Sequence, residues 1–294
     1  MVNISIFYTL MGQIIWGLLP LFWMLLQNVP SLYILATRII WAAIFCYGLI
    51  RYKHLLPNLR AVKTQRSQWL YLGGACLAVT LNWGTFIYAM THGAIIQTSL
   101  AYFTSPMVVI FAGALIFHEH LGMLQRFSIG FAVTGLVIAF ILYGQIPYLA
   151  LVLCFTWAAY GLLKKKITVH SQVSVFIESL SMVPLSLAFI AFSEYTGTGA
   201  YGVLHGIEWL LLPATGVVTA VPMIFFTAGI KGTPITVSGI LMYLAPSISL
   251  CIGLLHGEVL TTPLLITFIF AWIAVAFYIA GLLRIARKMK EARI

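Results

Sequence analysis

Two ionisable side chains stand inside stretches otherwise suited to hydrocarbon: Arg38 in "ILATRIIWAAIF" (34–45) and Glu178 in "FIESLSMVPLSL" (176–187). A guanidinium presents a planar fork of donors to a carboxylate or phosphate, and a carboxyl group can carry a proton or hold a cation. A charge at the centre of a bilayer costs about 3 kcal/mol on insertion scales, so such residues ordinarily face a bundle interior or an aqueous cavity. Three roles fit these two residues: an ion pair with one another, separate gate charges on the two sides, or, for Arg38, an anchor for an anionic group of a ligand.

Neutral polar groups extend the set. Asn82, in "NWGTFIY" (82–88), carries an amide that in hydrocarbon must bond another helix, water or ligand. Trp16, Trp83, Tyr88, Tyr102, Tyr160 and Tyr243 also fall within apolar runs. A buried indole or phenol seeks a partner, so these are candidates to line a pathway, alongside some that only pack. Trp69 and Trp209, near run ends, read as interfacial anchors. Pro20, Pro106, Pro184, Pro222 and Pro246 each withdraw a backbone donor and distort a helix. "HEH" at 118–120 lacks the spacing that puts two imidazoles on one helical face and reads as a polar loop. With no phosphate-binding loop and no nucleophile, base and orienter at one helical level, no metal, cofactor or enzymatic activity is expected.

These residues must be positioned by helices in a membrane. Of 294 residues, 62% are hydrophobic and 7% charged, with a mean hydropathy of +1.04, whereas a soluble domain is about a quarter charged. A hydrocarbon core about 30 Å thick needs roughly 20 apolar residues per helix. Ten such runs lie near 4–26, 33–50, 69–90, 95–117, 124–143, 146–163, 172–193, 208–229, 235–256 and 263–283. The first lacks a basic flank and a cleavage site and reads as a retained helix. Cys46, Cys76, Cys154 and Cys251 all fall inside runs, as packing residues.

The net charge of +10 follows from membrane orientation rather than from a nucleic-acid partner. Basic residues fall between runs 2 and 3 (Arg51, Lys53, Arg60, Lys63, Arg66), 4 and 5 (Arg126), 6 and 7 (Lys164, Lys165, Lys166), 8 and 9 (Lys231), and in the tail (Arg284, Arg287, Lys288, Lys290, Arg293). With ten spans every one lies on one side, so both termini are expected to be cytoplasmic. Arg38 alone stands outside this scheme.

The chain also matches itself at a shift of 140. Trp69 and Leu70 fall on Trp209 and Leu210, Phe86 on Phe226, Phe103 on Tyr243, Pro106 on Pro246, and Arg38 on Glu178; with a small adjustment "WGLL" (16–19) overlays "YGLL" (160–163). Two five-helix copies must enter the membrane in opposite senses, because five is odd, and inverted repeats are a transporter signature with a site between them near the midplane. Arg38 would lie about 10 Å inside one boundary and Glu178 about as far inside the other.

The sequence resembles the RarD branch of the drug/metabolite transporter superfamily, with its EamA-type duplicated domains. The likeness rests on the order and spacing of "WGLLPLFW" (16–23), "TRIIW" (37–41), "NWGTFIYA" (82–89), "TSLAYFTSP" (98–106), "AYGLLKKK" (159–166), "ESLSMVP" (178–184), "TAVPMIFF" (219–226) and "YLAP" (243–246). It implies an all-α integral membrane fold of ten helices in two inverted repeats, 1–144 and 145–294, around a central cavity, as a monomer or homodimer. It also implies functional positions at Trp16, Arg38, Asn82, Trp83, Tyr102, Glu178 and Tyr243. Gln97 stands where the family pattern has a carboxylate, Ala101, Ser105 and Met242 are further departures, and these touch proton coupling and substrate identity. The expectation is a secondary transporter of a small organic metabolite, such as an amino acid, amine or drug-like compound, in a bacterial inner membrane among its lipids. Glu178 is the expected proton or ion carrier if transport is coupled. The alternative is a non-transporting scaffold or receptor.

Overall fold

The computed structural model describes residues 2–62, 66–92, 95–119, 122–144, 146–257 and 262–291. Lys63 and His120 lie outside these residues, as does Gln145 at the expected repeat boundary. The side chains of Arg66, Gln97, Arg287, Lys288 and Lys290 and all of Arg293 lie outside them too. The described residues are all-helical, with no strand among them: α1 Val2–Trp23, α2 Ser31–Tyr52, α3 Leu56–Ala61, α4 Arg66–Thr91, α5 Ile95–Ile116, α6 Met123–Tyr143, α7 Tyr148–Lys166, α8 Ser171–Tyr195, α9 Leu211–Gly232, α10 Ile235–Leu241, α11 Leu244–Leu255 and α12 Thr262–Glu291.

Local chemistry sets the boundaries. Pro30, Pro147 and Pro234 immediately precede α2, α7 and α10, where a missing N–H costs nothing because no intrahelical acceptor exists there. Gly144 ends α6 at φ 73, a left-handed conformation that suits glycine. Pro20, Pro106, Pro184 and Pro222 are accommodated inside continuous helices. The run at 235–256, read as one helix, is instead broken between α10 and α11. Pro246 follows the break, and its ring would clash with the carbonyl of Met242 in a continuous helix. The short α3 in the basic connection was not foreseen.

Among the described residues, six segments are long and apolar enough to cross a membrane: Ile4–Leu26, Ser31–Tyr52, Met123–Leu142, Ser171–Tyr195, Gly206–Gly232 and Ile235–Leu255. Helices α4 and α7 fall short because they carry Gln68, Thr80 and Asn82 in one case and Thr156, Tyr160 and Lys164 in the other. Large apolar side chains cover the outside, among them Leu70, Leu185 and Ile141. Such a surface suits lipid tails, which solvate it without cost.

Helices of the first half pack mainly against helices of the second: α1 on α9, α4 on α7, α2 on α8, α5 on α7 and α10, α6 on α12. Exchanging the halves converts each of these pairs into itself or into another pair of the set, counting α10 and α11 together and allowing α1 on α11 as the mate of α5 on α7. One pairing breaks the pattern: α2 runs closely along α9, while the corresponding α8 touches α4 much less. At Gly216 a Cβ would lie 2.3 Å from the Trp41 carbonyl carbon, so glycine is what lets α9 approach α2.

Candidate functional site

The second half builds a fully buried polar network. Helix α7 continues one turn past the end of its apolar run, so Lys164 falls four residues after Tyr160 on the same face. Helix α8 presents Ser174 and Glu178 at the same spacing. The faces meet: Lys164 Nζ donates to Glu178 Oε1 at 2.5 Å and to Ser174 Oγ at 2.7 Å. Ser174 Oγ donates to Oε1 at 2.9 Å, and Tyr160 Oη donates to Oε2 at 3.0 Å. Lys164 and Glu178 are 0% and 2% exposed. The expectation that Lys164 sits in a cytoplasmic connection is therefore corrected, and Arg38 is not alone among basic residues in leaving the loop scheme. Of the three roles, pairing of Glu178 with Arg38 is also replaced, because the carboxylate already has its cation.

Around this network the aromatic candidates assemble in part. Trp16 of α1 and Tyr160 both pack on Phe226 of α9, at 5.4 and 6.5 Å between centroids, and Trp157 stacks on Tyr160 at 5.3 Å. Trp157 and Phe226 were not singled out beforehand. Their signal was present, since Trp157 precedes Tyr160 by three residues and Phe226 is the repeat mate of Phe86.

The first half builds a different arrangement. Arg38 lies seven residues beyond Ser31 at the start of α2, as Glu178 lies seven beyond Ser171 at the start of α8. Its guanidinium carbon stands 4.8 Å from the centroid of Trp83 in α4 and 5.9 Å from that of Trp23 at the end of α1. Tyr102 lies on α5. Tyr102 is 54% exposed and packs edge-on against Phe86. Arg38 Nε is buried with no hydrogen-bond partner among the described residues. Trp23 was missed because a residue at the end of an apolar run reads as an anchor.

The remaining candidates are dispersed. The Asn82 amide donates to Leu153 O at 2.8 Å and to Thr156 Oγ1 at 3.0 Å, tying α4 to α7. Tyr88 stacks on His92 at the end of α4. Tyr243 is buried in an apolar cluster with Phe103, Met107 and Tyr278. In the "HEH" segment Glu119 accepts hydrogen bonds from the backbone N–H groups of Ile235 and Thr236, so it caps α10, where a carboxylate suits a helix N-terminus. Lys165 faces Glu119 at 4.0 Å and donates to Thr233 O, and Lys231 donates to Val169 O. All four cysteines are free. Just before α8, burial and then the Lys231 and Lys53 charges hold the His170 imidazole below its ordinary pKa.

The chain matches known proteins in sequence and in overall fold. The profile of the EamA-like transporter family matches residues 3–141 and again 146–280. The chain belongs to the EamA-like transporter family. An uncharacterized transporter of Bacillus subtilis, YojE, is 36% identical over 279 residues, covering 93% of each chain. The RarD protein of Salmonella typhi is 30% identical over 286 residues and covers 97% of both, and that of Escherichia coli K12 is 28% identical over 288. One solved crystal structure superposes with a TM-score of 0.71 over 93% of this chain and 96% of that one at 17% identity, which shows a shared fold. The chain is thus a multi-helix membrane protein of a transporter family, with RarD proteins among its full-length relatives.

Proposed function

We propose that this EamA family member is a secondary transporter that moves a small organic metabolite by alternating access. In this reading the chain crosses the membrane ten times, with α10 and α11 forming one interrupted span and α3 lying at the interface. Residues 1–144 and 145–294 are its inverted repeats, both termini are cytoplasmic, and the membrane is a bacterial inner membrane. The double family match at 3–141 and 146–280 supports the repeat boundaries.

The observation that carries the proposal is the broken symmetry of packing between the halves. Helices α2 and α9 are closed on one another, whereas their mates α8 and α4 are largely apart. Two inverted copies that rock against each other would adopt such an arrangement at one end of a cycle and its mirror at the other. Burial agrees in sense: Tyr160, Lys164 and Glu178 are sealed, while Arg38 at the matching position is only partly buried. Glu178 is the proposed coupling residue, because releasing Lys164 from it would couple a proton or cation to opening of the sealed side.

The test is uptake of a labelled metabolite panel into proteoliposomes with and without an imposed pH gradient. Flux of at least one solute above empty vesicles is expected, and its absence for every solute would refute transport. Glu178→Gln is expected to lose the response to the gradient; a variant with full gradient-driven uptake removes Glu178 from coupling.

A further inference from the structure

The guanidinium of Arg38 has a feature that the transport reading leaves unexplained: it is a permanent charge inside α2 with no counter-charge among the described residues. The sequence holds six carboxylates, at Glu119, Glu178, Glu194, Glu208, Glu258 and Glu291. Glu119 caps α10, Glu178 binds Lys164, Glu194 accepts from the Ala200 N–H, and Glu208 accepts from the His205 N–H. Glu258 lies outside the described residues, and Glu291 ends α12, whose side chain there is not described. Among the described residues the ion pairs are Lys164–Glu178 and Lys165–Glu119, and no acceptor takes a hydrogen bond from Arg38. Its near neighbours are the faces of Trp23 and Trp83. Cation–π contacts hold a guanidinium in place for about 0.5–2 kcal/mol but leave its N–H donors unspent.

The corresponding place in the other half shows what a complete site looks like. There, "YGLL" runs into Lys164, which neutralises Glu178; in the first half "WGLL" runs into Pro20, which has neither a charge nor a donor. The duplicated charge has kept its position and lost, or never gained, its internal partner. We propose that Arg38 is an anion-binding subsite on the transport pathway, and that the substrate is an amphipathic organic acid. Its carboxylate engages the guanidinium fork, and its apolar body lies against Trp23 and Trp83. A planar two-oxygen anion matches the fork in a bidentate manner, and indole faces suit a flat apolar group. At seven residues into α2 the site lies about 10 Å below the start of the helix, too deep for a lipid phosphate at the headgroup level.

This proposal rests on the transport reading for the pathway, and binding tests it separately from flux. Tryptophan fluorescence of the purified full chain in detergent is titrated with phenylacetate and cyclohexylacetate, and with phenylacetamide and cyclohexylacetamide as neutral isosteres. The acids are expected to bind at least about tenfold more tightly than the amides, since only they answer the charge. Arg38→Gln is expected to abolish that preference and Arg38→Lys to keep only part of it. Equal affinity for acid and amide, no acid binding below about 10 mM, or an undiminished preference in Arg38→Gln each overturns the proposal. The comparison of acid with amide on the unaltered chain decides even where a variant fails to fold. Repeating the titration in nanodiscs with and without phosphatidylglycerol separates the two anion sources, and loss of acid binding to that lipid also overturns it. Solute uptake without acid preference sinks the subsite and leaves transport standing. Acid binding without flux of any solute does the reverse.

Discussion

Arg38 and Glu178 occupy matching positions in helices that pack on one another, yet their surroundings differ in kind. Glu178 is sealed, and both its oxygens are satisfied by Lys164, Ser174 and Tyr160. Arg38 is partly buried among the faces of Trp23 and Trp83, with a buried N–H that no acceptor among the described residues takes up. A buried charge that is paired and hydrogen-bonded is a structural unit whose parts cannot be removed singly. A partly buried charge without a partner contributes little to the fold and is available to a ligand. The two positions align at a shift of 140 and differ in what neutralises the charge they carry.

Stability measurements can break this comparison. The largest effect is expected for Glu178→Ala, which strands the Lys164 ammonium and should cost about 3–5 kcal/mol, read as a lowered unfolding temperature in detergent. The double variant Glu178→Leu with Lys164→Met should recover most of that loss, because no charge is then left unpaired. Tyr160→Phe removes one hydrogen bond to a charged acceptor and should cost about 1.5–3 kcal/mol. Asn82→Leu cuts the two bonds from α4 to α7 and should cost about 1–2 kcal/mol.

A smaller, pH-dependent effect is expected at His170 beside α8. Its folded pKa is depressed below 6.5, so the unfolded chain binds the proton first. Stability should therefore be full above the unfolded pKa and decline as pH falls through the folded one. His170→Gln should flatten that decline. The smallest effect is expected for Arg38→Gln, within about 1 kcal/mol of the unaltered chain, because the lost cation–π contacts are offset by the removal of an unpaired buried charge. A loss as large as that of Glu178→Ala would show that Arg38 is structural and erase the distinction between the two regions.

Much of this architecture was legible in the residues. Apolar runs locate helices because a bilayer needs every backbone donor satisfied within its own segment, and the self-match at 140 placed Arg38 opposite Glu178 before any contact was known. Lys164 was misread because three consecutive lysines after an apolar run look like a cytoplasmic flank. The helical spacing of Tyr160 to Lys164 and of Ser174 to Glu178 held the correction, since each pair lies on one face and the two faces are complementary. Asn82 was correctly marked as needing a partner, but a sequence does not say whether helix or ligand supplies it.

The sequence by itself determined an all-helical membrane protein of the EamA family and two charges that align at a shift of 140, because hydropathy and self-similarity are properties of the chain alone. Only the tertiary structure decided which charge is neutralised. Pairing depends on which helix faces meet within about 3 Å, and a one-turn extension of α7 delivers a lysine to Glu178 while nothing comparable reaches Arg38.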